Sequence, residues 1–243
     1  MVTVDRVEPC HYTEYMPARN RVKTYVENSF YHAYNRGVEK RDIFVDEYDY
    51  RVFMNLIKIY LSPSDEAIDE MKEIFPEKRI RLRKTFNGEI KILALCLMPN
   101  HFHLLLRQKS ASGMSEFLRA ISTSYSMYFN KRHHRVGSLF QGVYKAIFVP
   151  NDEYLMHLSR YIHRNPIKLT GFNPVNLDRY PYSSYSTYFN PSSRPWIDTE
   201  IISEYFESED KFSTQLYREF VEMAGDDETT PLEDLAELSM EDE

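Results

Sequence analysis

At 243 residues, with 42% of them hydrophobic, the chain is long enough for one ordinary domain with appendages and has the apolar content for a real core. Seven glycines argue against a Gly-rich nucleotide-binding fold, no apolar run reaches the length of a membrane span, and Cys10 and Cys96 form no metal-type spacing. The net charge of −7 would disfavour a nucleic-acid partner, but its distribution reverses that reading.

Residues 222–243 contain ten acidic and no basic side chains, and the remainder of the chain is net positive by three. Residues 101–170 carry ten Lys or Arg against Glu116, Asp152 and Glu153, a local excess of seven positive charges. A solvated charged face is the plain alternative to a phosphate-binding surface there. The stretch Met1-Val2-Thr3-Val4-Asp5-Arg6 lacks the basic and apolar regions of a signal peptide, so a reducing cytoplasm is expected.

In chain order, residues 1–24 read as an extended N-terminal arm. Residues 25–34 are rich in β-formers and predict a strand, closed by Asn35-Arg36-Gly37 as a turn. Val52, Phe53, Leu56, Ile57 and Tyr60 recur at helical spacing behind Asp46, a natural N-cap. A short charged helix is expected over 64–75. Residues 78–86 alternate charged and apolar, and Asn87-Gly88 then predicts a hairpin into the apolar run 90–97, a central strand.

Met98-Pro99-Asn100 turns the chain, and 101–107 returns as a strand. On that strand His101, His103 and Leu105 share one face, while Phe102, Leu104 and Leu106 share the other. Two imidazoles on one face of a stiff strand suit a metal, which would need further ligands from elsewhere. The bland alternative is one hydrogen-bonded core histidine and one incidental one.

Ser112 predicts the start of a long helix with Met114, Phe117, Leu118, Ile121, Tyr125, Tyr128 and Phe129 on its apolar face. The basic loop Lys131-Arg132-His133-His134-Arg135 follows, then a short strand over 144–149 and a helix over 152–165 capped by Asn151. Tyr161 and Asn165, four apart, lie on one face of that helix, and Pro166 ends it. Read alone, they are a packing residue and a helix terminator. Beyond Gly171 the chain is loop-rich, with two short helical patterns around 201–206 and 213–221 and then an acidic tail expected to be disordered.

Five motifs occur in order: Tyr31-His32-Ala33-Tyr34-Asn35-Arg36-Gly37; Leu97-Met98-Pro99-Asn100-His101-Phe102-His103-Leu104-Leu105; Gly137-Ser138-Leu139-Phe140-Gln141-Gly142; Tyr161-Ile162-His163-Arg164-Asn165-Pro166; and Tyr180-Pro181-Tyr182-Ser183-Ser184-Tyr185. Together they resemble the REP-associated tyrosine transposases, a branch of the single-tyrosine HUH transposases related to bacterial insertion sequences. Five ordered motifs are much more specific than any one of them.

The resemblance implies an α+β, ferredoxin-like fold: an antiparallel sheet with helices packed on it, here with a small helical C-terminal extension. The implied organisation is an arm (1–24), a catalytic domain (25–170), the extension (171–224) and the acidic tail (225–243). Residues 62–89 are longer than the family needs.

It further implies that His101 and His103 hold a divalent ion, Mg²⁺ or Mn²⁺, with Asn165 as a third ligand, and that Tyr161 is the nucleophile of a site-specific single-stranded DNA nickase and strand transferase. The implied partner is hairpin-bearing single-stranded DNA, met by a monomer and away from any membrane. Arg132, Arg135, Lys145 and Arg164 are the expected backbone contacts. His32 is a candidate support for the metal site, or a satisfied core histidine. Packing is the default for His157, Tyr182 and Tyr185, and His163 faces away from Tyr161 by helical phase. Two alternatives stay open: an inactive nucleic-acid-binding module of the same fold, and a metal-dependent hydrolase using bound water.

Overall fold

The computed structural model describes residues 25–63, 84–206 and 213–223, together with Glu66, Ala67, Asp69 and Lys72. The expected arm, the acidic tail and most of the segments 64–75 and 78–86 lie outside the described residues.

Four strands, β1 (Phe30–Arg36), β2 (Ile90–Met98), β3 (His101–Gln108) and β4 (Lys145–Phe148), form one sheet in the order β2-β3-β1-β4. All three pairings are antiparallel. Helix α1 (Glu47–Leu61) connects β1 to β2, and α2 (Gly113–Arg132) connects β3 to β4. This βαββαβ order is the expected ferredoxin-like α+β fold. A third helix, α3 (Asp152–Arg164), follows, and the chain closes with the short α4 (Glu200–Ser203) and α5 (Ser213–Glu222).

The alternation on β3 divides the molecule. Phe102, Leu104 and Leu106 enter the core under α1 and α2, where Phe53 meets Phe102 at 5.1 Å between ring centroids and Tyr125 edge-on at 4.9 Å. Burying each such side chain contributes roughly 1.5–3 kcal/mol, which makes this face the main source of stability. Leu105 joins a second cluster on the opposite face with Leu155, Leu158 and Ile162 of α3, and His101 and His103 share that face.

Local signals explain the helix starts. Asp46 Oδ1 accepts from the backbone N–H of Tyr48 and Asp49 at 3.0 and 3.2 Å, and Asn151 Oδ1 accepts from Tyr154 N–H at 2.8 Å. Ser112, expected to cap α2, makes no side-chain cap; Gln108 Oε1 accepts from Met114 N–H instead, at 3.1 Å.

Two expectations change. The first strand runs from Phe30 to Arg36, because Asn28 turns the chain at φ 53° before it and Gly37 continues pairing past it. Asn87-Gly88 forms a turn, but the described residues before it, 84–86, are not strand, and Phe86 packs into the core against Phe117. The outer edge of β2 is taken by distant chain. Leu97 N–H donates to Tyr182 O at 2.9 Å and Asp198 N–H to Ile92 O at 2.8 Å, which leaves that edge no room for a neighbouring hairpin strand. The true partner of β2 is β3, joined through Pro99-Asn100.

Candidate active site

The histidine strand lies beside β1, with His103 opposite Tyr34 and His101 opposite Arg36. The two imidazoles stand at right angles, their centroids 4.9 Å apart. Each has its Nδ1 engaged. His101 Nδ1 sits 2.6 Å from Asn100 Oδ1, and Asn100 Nδ2 donates to Lys40 O at 3.3 Å. That second bond orients the amide, so His101 Nδ1 is the donor and Nε2 keeps a lone pair. His103 Nδ1 lies 2.9 Å from His32 Nε2. Ligation through His103 Nε2 would fix its proton on Nδ1, donated to His32, the outer-shell arrangement that orients metal-bound imidazoles.

Burial keeps all three rings neutral. It lowers His32 to about 3 and His101 to about 4, the latter helped by the positive charges of Lys168 and Arg36. Burial also holds His103 well below the usual histidine range, aided by His101, His32 and Lys168. Neutral imidazole is the form that binds a metal or accepts a proton.

Helix α3 crosses this face and brings Tyr161 to the histidines. Its ring meets His103 edge-on at 5.6 Å between centroids and His32 at 6.3 Å. One turn later Asn165, 1% exposed, donates from Nδ2 to Tyr161 O at 3.0 Å. Its Oδ1 is buried with no hydrogen-bond partner among the described residues. An orphaned buried carbonyl of this kind is costly, and an amide oxygen is a good hard-cation ligand. No cluster of three His, Cys, Asp or Glu side chains suited to a metal exists among the described residues, so an ion here would need two imidazoles completed by an amide. This set fits Mn²⁺ or Mg²⁺ with coordination positions left over.

The other side of α3 is a closed hydrogen-bond node. His163 Nδ1 lies 2.8 Å from the Tyr217 hydroxyl and Nε2 2.8 Å from Ser184 Oγ. Tyr217 donates to Ser159 Oγ at 3.0 Å, which donates to Met156 O at 2.7 Å. Leu95 N–H donates to Ser184 Oγ at 2.9 Å. Burial holds His163 near 3, neutral and fully satisfied. The node ties α3 to β2 and to α5, and so fixes which face of the helix looks at the histidines.

The four cations expected at the DNA backbone divide by environment. Arg132 forks onto Asp46 and Asp49 at 2.6 Å each, and Asp49, fully buried, also accepts from Tyr128 at 2.8 Å. Arg164 donates to Val221 O at 2.9 Å and Met223 O at 3.3 Å. These two guanidinium groups hold the fold together. Arg135 lies in the basic loop and donates to Asn130 Oδ1 at 3.1 Å. Lys145 is exposed on β4, its ammonium 5.9 Å from the centroid of Tyr34, which neighbours His103. His133, in the same loop as Arg135, binds Asp49 through Nε2 at 3.0 Å. The packing defaults hold: His157 meets Phe220, Tyr182 stacks on Tyr50 at 3.7 Å, and Tyr185 is buried with its hydroxyl on Glu222.

The structure adds Arg36 and Lys168 to this neighbourhood. Arg36 bonds Gln141 through Nε, and Gln141 N–H donates to Arg36 O at 2.9 Å, so the first and third motifs are knitted together beside His101. Gly37 permits it: a Cβ there would lie 2.1 Å from Arg41 O. The motif order carried this signal, although Asn35-Arg36-Gly37 read as a simple turn.

Residues 64–165 match the family model described as transposase, IS200-like. His101, His103, Tyr161 and Asn165 all fall inside that match. No curated protein matches in sequence. Among solved structures, a REP-associated tyrosine transposase bound to a REP hairpin aligns at 16% identity and TM-score 0.47, over 87% of this chain and 93% of that one. A provisionally assigned transposase from Deinococcus radiodurans R1 aligns at 18% identity and TM-score 0.30, over 62% and 97%. The four residues gathered here thus lie within the stretch that is similar to the IS200-like transposase family.

Proposed function

We propose that this protein is a metal-dependent endonuclease and strand transferase of single-stranded DNA, of the REP-associated branch, cutting at hairpin-associated sites through a 5′-phosphotyrosine bond. The observation that carries this reading is the packing of Tyr161 against His103, with the orphaned Asn165 Oδ1 one turn along the same helix.

Tyr161 attacks a backbone phosphorus and releases a 3′-hydroxyl. The new ester retains the cleaved bond's energy, so a second 3′ end can displace the tyrosine. A phenol with a pKa near 10 is a poor nucleophile at neutral pH. His101, His103 and Asn165 would hold the ion; bound there, a divalent cation polarises the phosphate and neutralises its developing charge. Lys145 and Arg135 hold the backbone, and exposed aromatics stack on unpaired bases. The protein acts as a monomer, with α3 pinned to its own sheet through His163.

The test is covalent capture. Wild-type protein, hairpin-bearing single-stranded DNA and Mn²⁺ are mixed, then denatured. The expected result is a protein–DNA adduct that disappears in Tyr161→Phe and on chelation. Cleavage without an adduct would identify a hydrolase, and tight binding without cleavage an inactive module; either outcome refutes the proposal.

A further inference from the structure

Lys168 follows the tyrosine helix by one short 3₁₀ turn, Asn165–Lys168, which Pro166 initiates. Seven residues separate it from Tyr161, and the 3₁₀ turn brings it back to the tyrosine's face. Its Nζ lies 3.4 Å from the Tyr161 hydroxyl oxygen and 4.6 Å from the ring centroid. Among the described residues the ammonium makes no ion pair, and its contacts are with Tyr161. Its charge also reaches both metal-site histidines, adding to the burial that keeps them neutral.

On the reading of Tyr161 as nucleophile, we propose that Lys168 is a catalytic residue whose ammonium stabilises the negative charge on the tyrosine oxygen as its bond to phosphorus forms or breaks. In cleavage, the phenolic oxygen bonds to phosphorus and the phosphorus–O3′ bond breaks. The phenol loses one proton and the departing 3′ oxygen gains one. Lys168 keeps its three protons throughout. In rejoining the same steps run backwards, with the tyrosine oxygen leaving. A fixed charge at that oxygen lowers the same transition state in both directions, so it speeds both and leaves their equilibrium unchanged. A lysine that merely held DNA would act on affinity and its salt dependence instead.

The experiment compares the full chain with Lys168→Met and Lys168→Arg. The probe is a pool of single-stranded oligonucleotides, each a short hairpin with randomised flanks, from which the wild-type adduct is selected and sequenced. Single-turnover adduct formation and rejoining are then timed at saturating DNA and Mn²⁺. The expected result is a fall of about 10²-fold in both rates for Lys168→Met, the loss typical of one missing charge-stabilising donor. DNA affinity stays unchanged, and Lys168→Arg recovers most of the rate. An unaltered rate in Lys168→Met, or a loss confined to DNA affinity, overturns the role of Lys168 while the tyrosine reading stands. A wild-type protein that forms no adduct overturns both.

Discussion

The two sides of α3 hold polar groups in opposite ways. On one, His163 has both ring nitrogens bonded, and the hydroxyls of Tyr217, Ser159 and Ser184 complete a closed network. On the other, Asn165 Oδ1 and His32 Nδ1 are buried without partners, and Tyr161 packs on a ring whose remaining nitrogen faces no described donor or acceptor. A satisfied buried network rigidifies; an unsatisfied one marks a place where something else completes the bonding. The closed side is anchorage and the open side is the proposed site. The same division runs through β3, where Phe102, Leu104 and Leu106 build the core while His101 and His103 face Tyr161.

The closed side should be the more fragile in stability. His163→Leu removes one hydrogen bond from each of two buried hydroxyls that keep other partners, at about 0.5–1.5 kcal/mol each, so urea unfolding should lose about 1–3 kcal/mol. It also removes a pH dependence. An unfolded imidazole takes a proton below about 6.5, whereas folded His163 stays neutral down to about 3. Between those values the unfolded state binds more protons. Stability is therefore fully present above about 6.5 and falls with acidification, by up to about 1.4 kcal/mol per pH unit for each such histidine. Urea titrations stepping down from neutral pH should show a shallower slope in His163→Leu than in wild type. Equal slopes would mean that His163 is already charged in the folded protein.

The open side should show the converse. Asn165→Ala loses one hydrogen bond to Tyr161 O, about 1 kcal/mol, and abolishes the orphaned carbonyl. Metal-stimulated adduct formation should drop by about 10-fold or more, the lower end of what lost support at a metal costs. A variant that lost several kcal/mol of stability with normal metal response would erase the distinction between the two sides.

Much of this arrangement is local, and the local part was legible in the sequence. Alternation on β3 separates His101 and His103 from the core residues within one strand, and Asp46 and Asn151 announce their helices by residue type alone. Long-range pairings were not. The Asn87-Gly88 turn has the chemistry of a hairpin, but the edge of β2 belongs to residues 182–198, nearly a hundred positions away. Arg132 reads as a free cation until Asp46 and Asp49 come across from α1. Lys168 required the geometry of a proline-initiated 3₁₀ turn, in which periodicity drifts from that of the helix before it.

The smallest expected effect separates the basic side chains built into the fold from those left at the surface. Lys145 stands on the edge strand β4, on the face shared by Tyr34 and His103, where a strand entering the site would pass. Neutralising one phosphate contact with single-stranded DNA removes about 0.7 from the slope of log affinity against log salt. Lys145→Met should therefore flatten that slope by roughly this amount and leave unfolding unchanged. Arg132→Met should do the reverse, because its guanidinium balances a carboxylate at Asp49 that has no exposure to water. Partial exposure of Arg132 moderates the loss of stability to about 1–3 kcal/mol, below the cost of breaking a fully buried pair. If Arg132→Met altered the salt slope while Lys145→Met did not, the DNA would run past the α1–α2 junction instead of across β4.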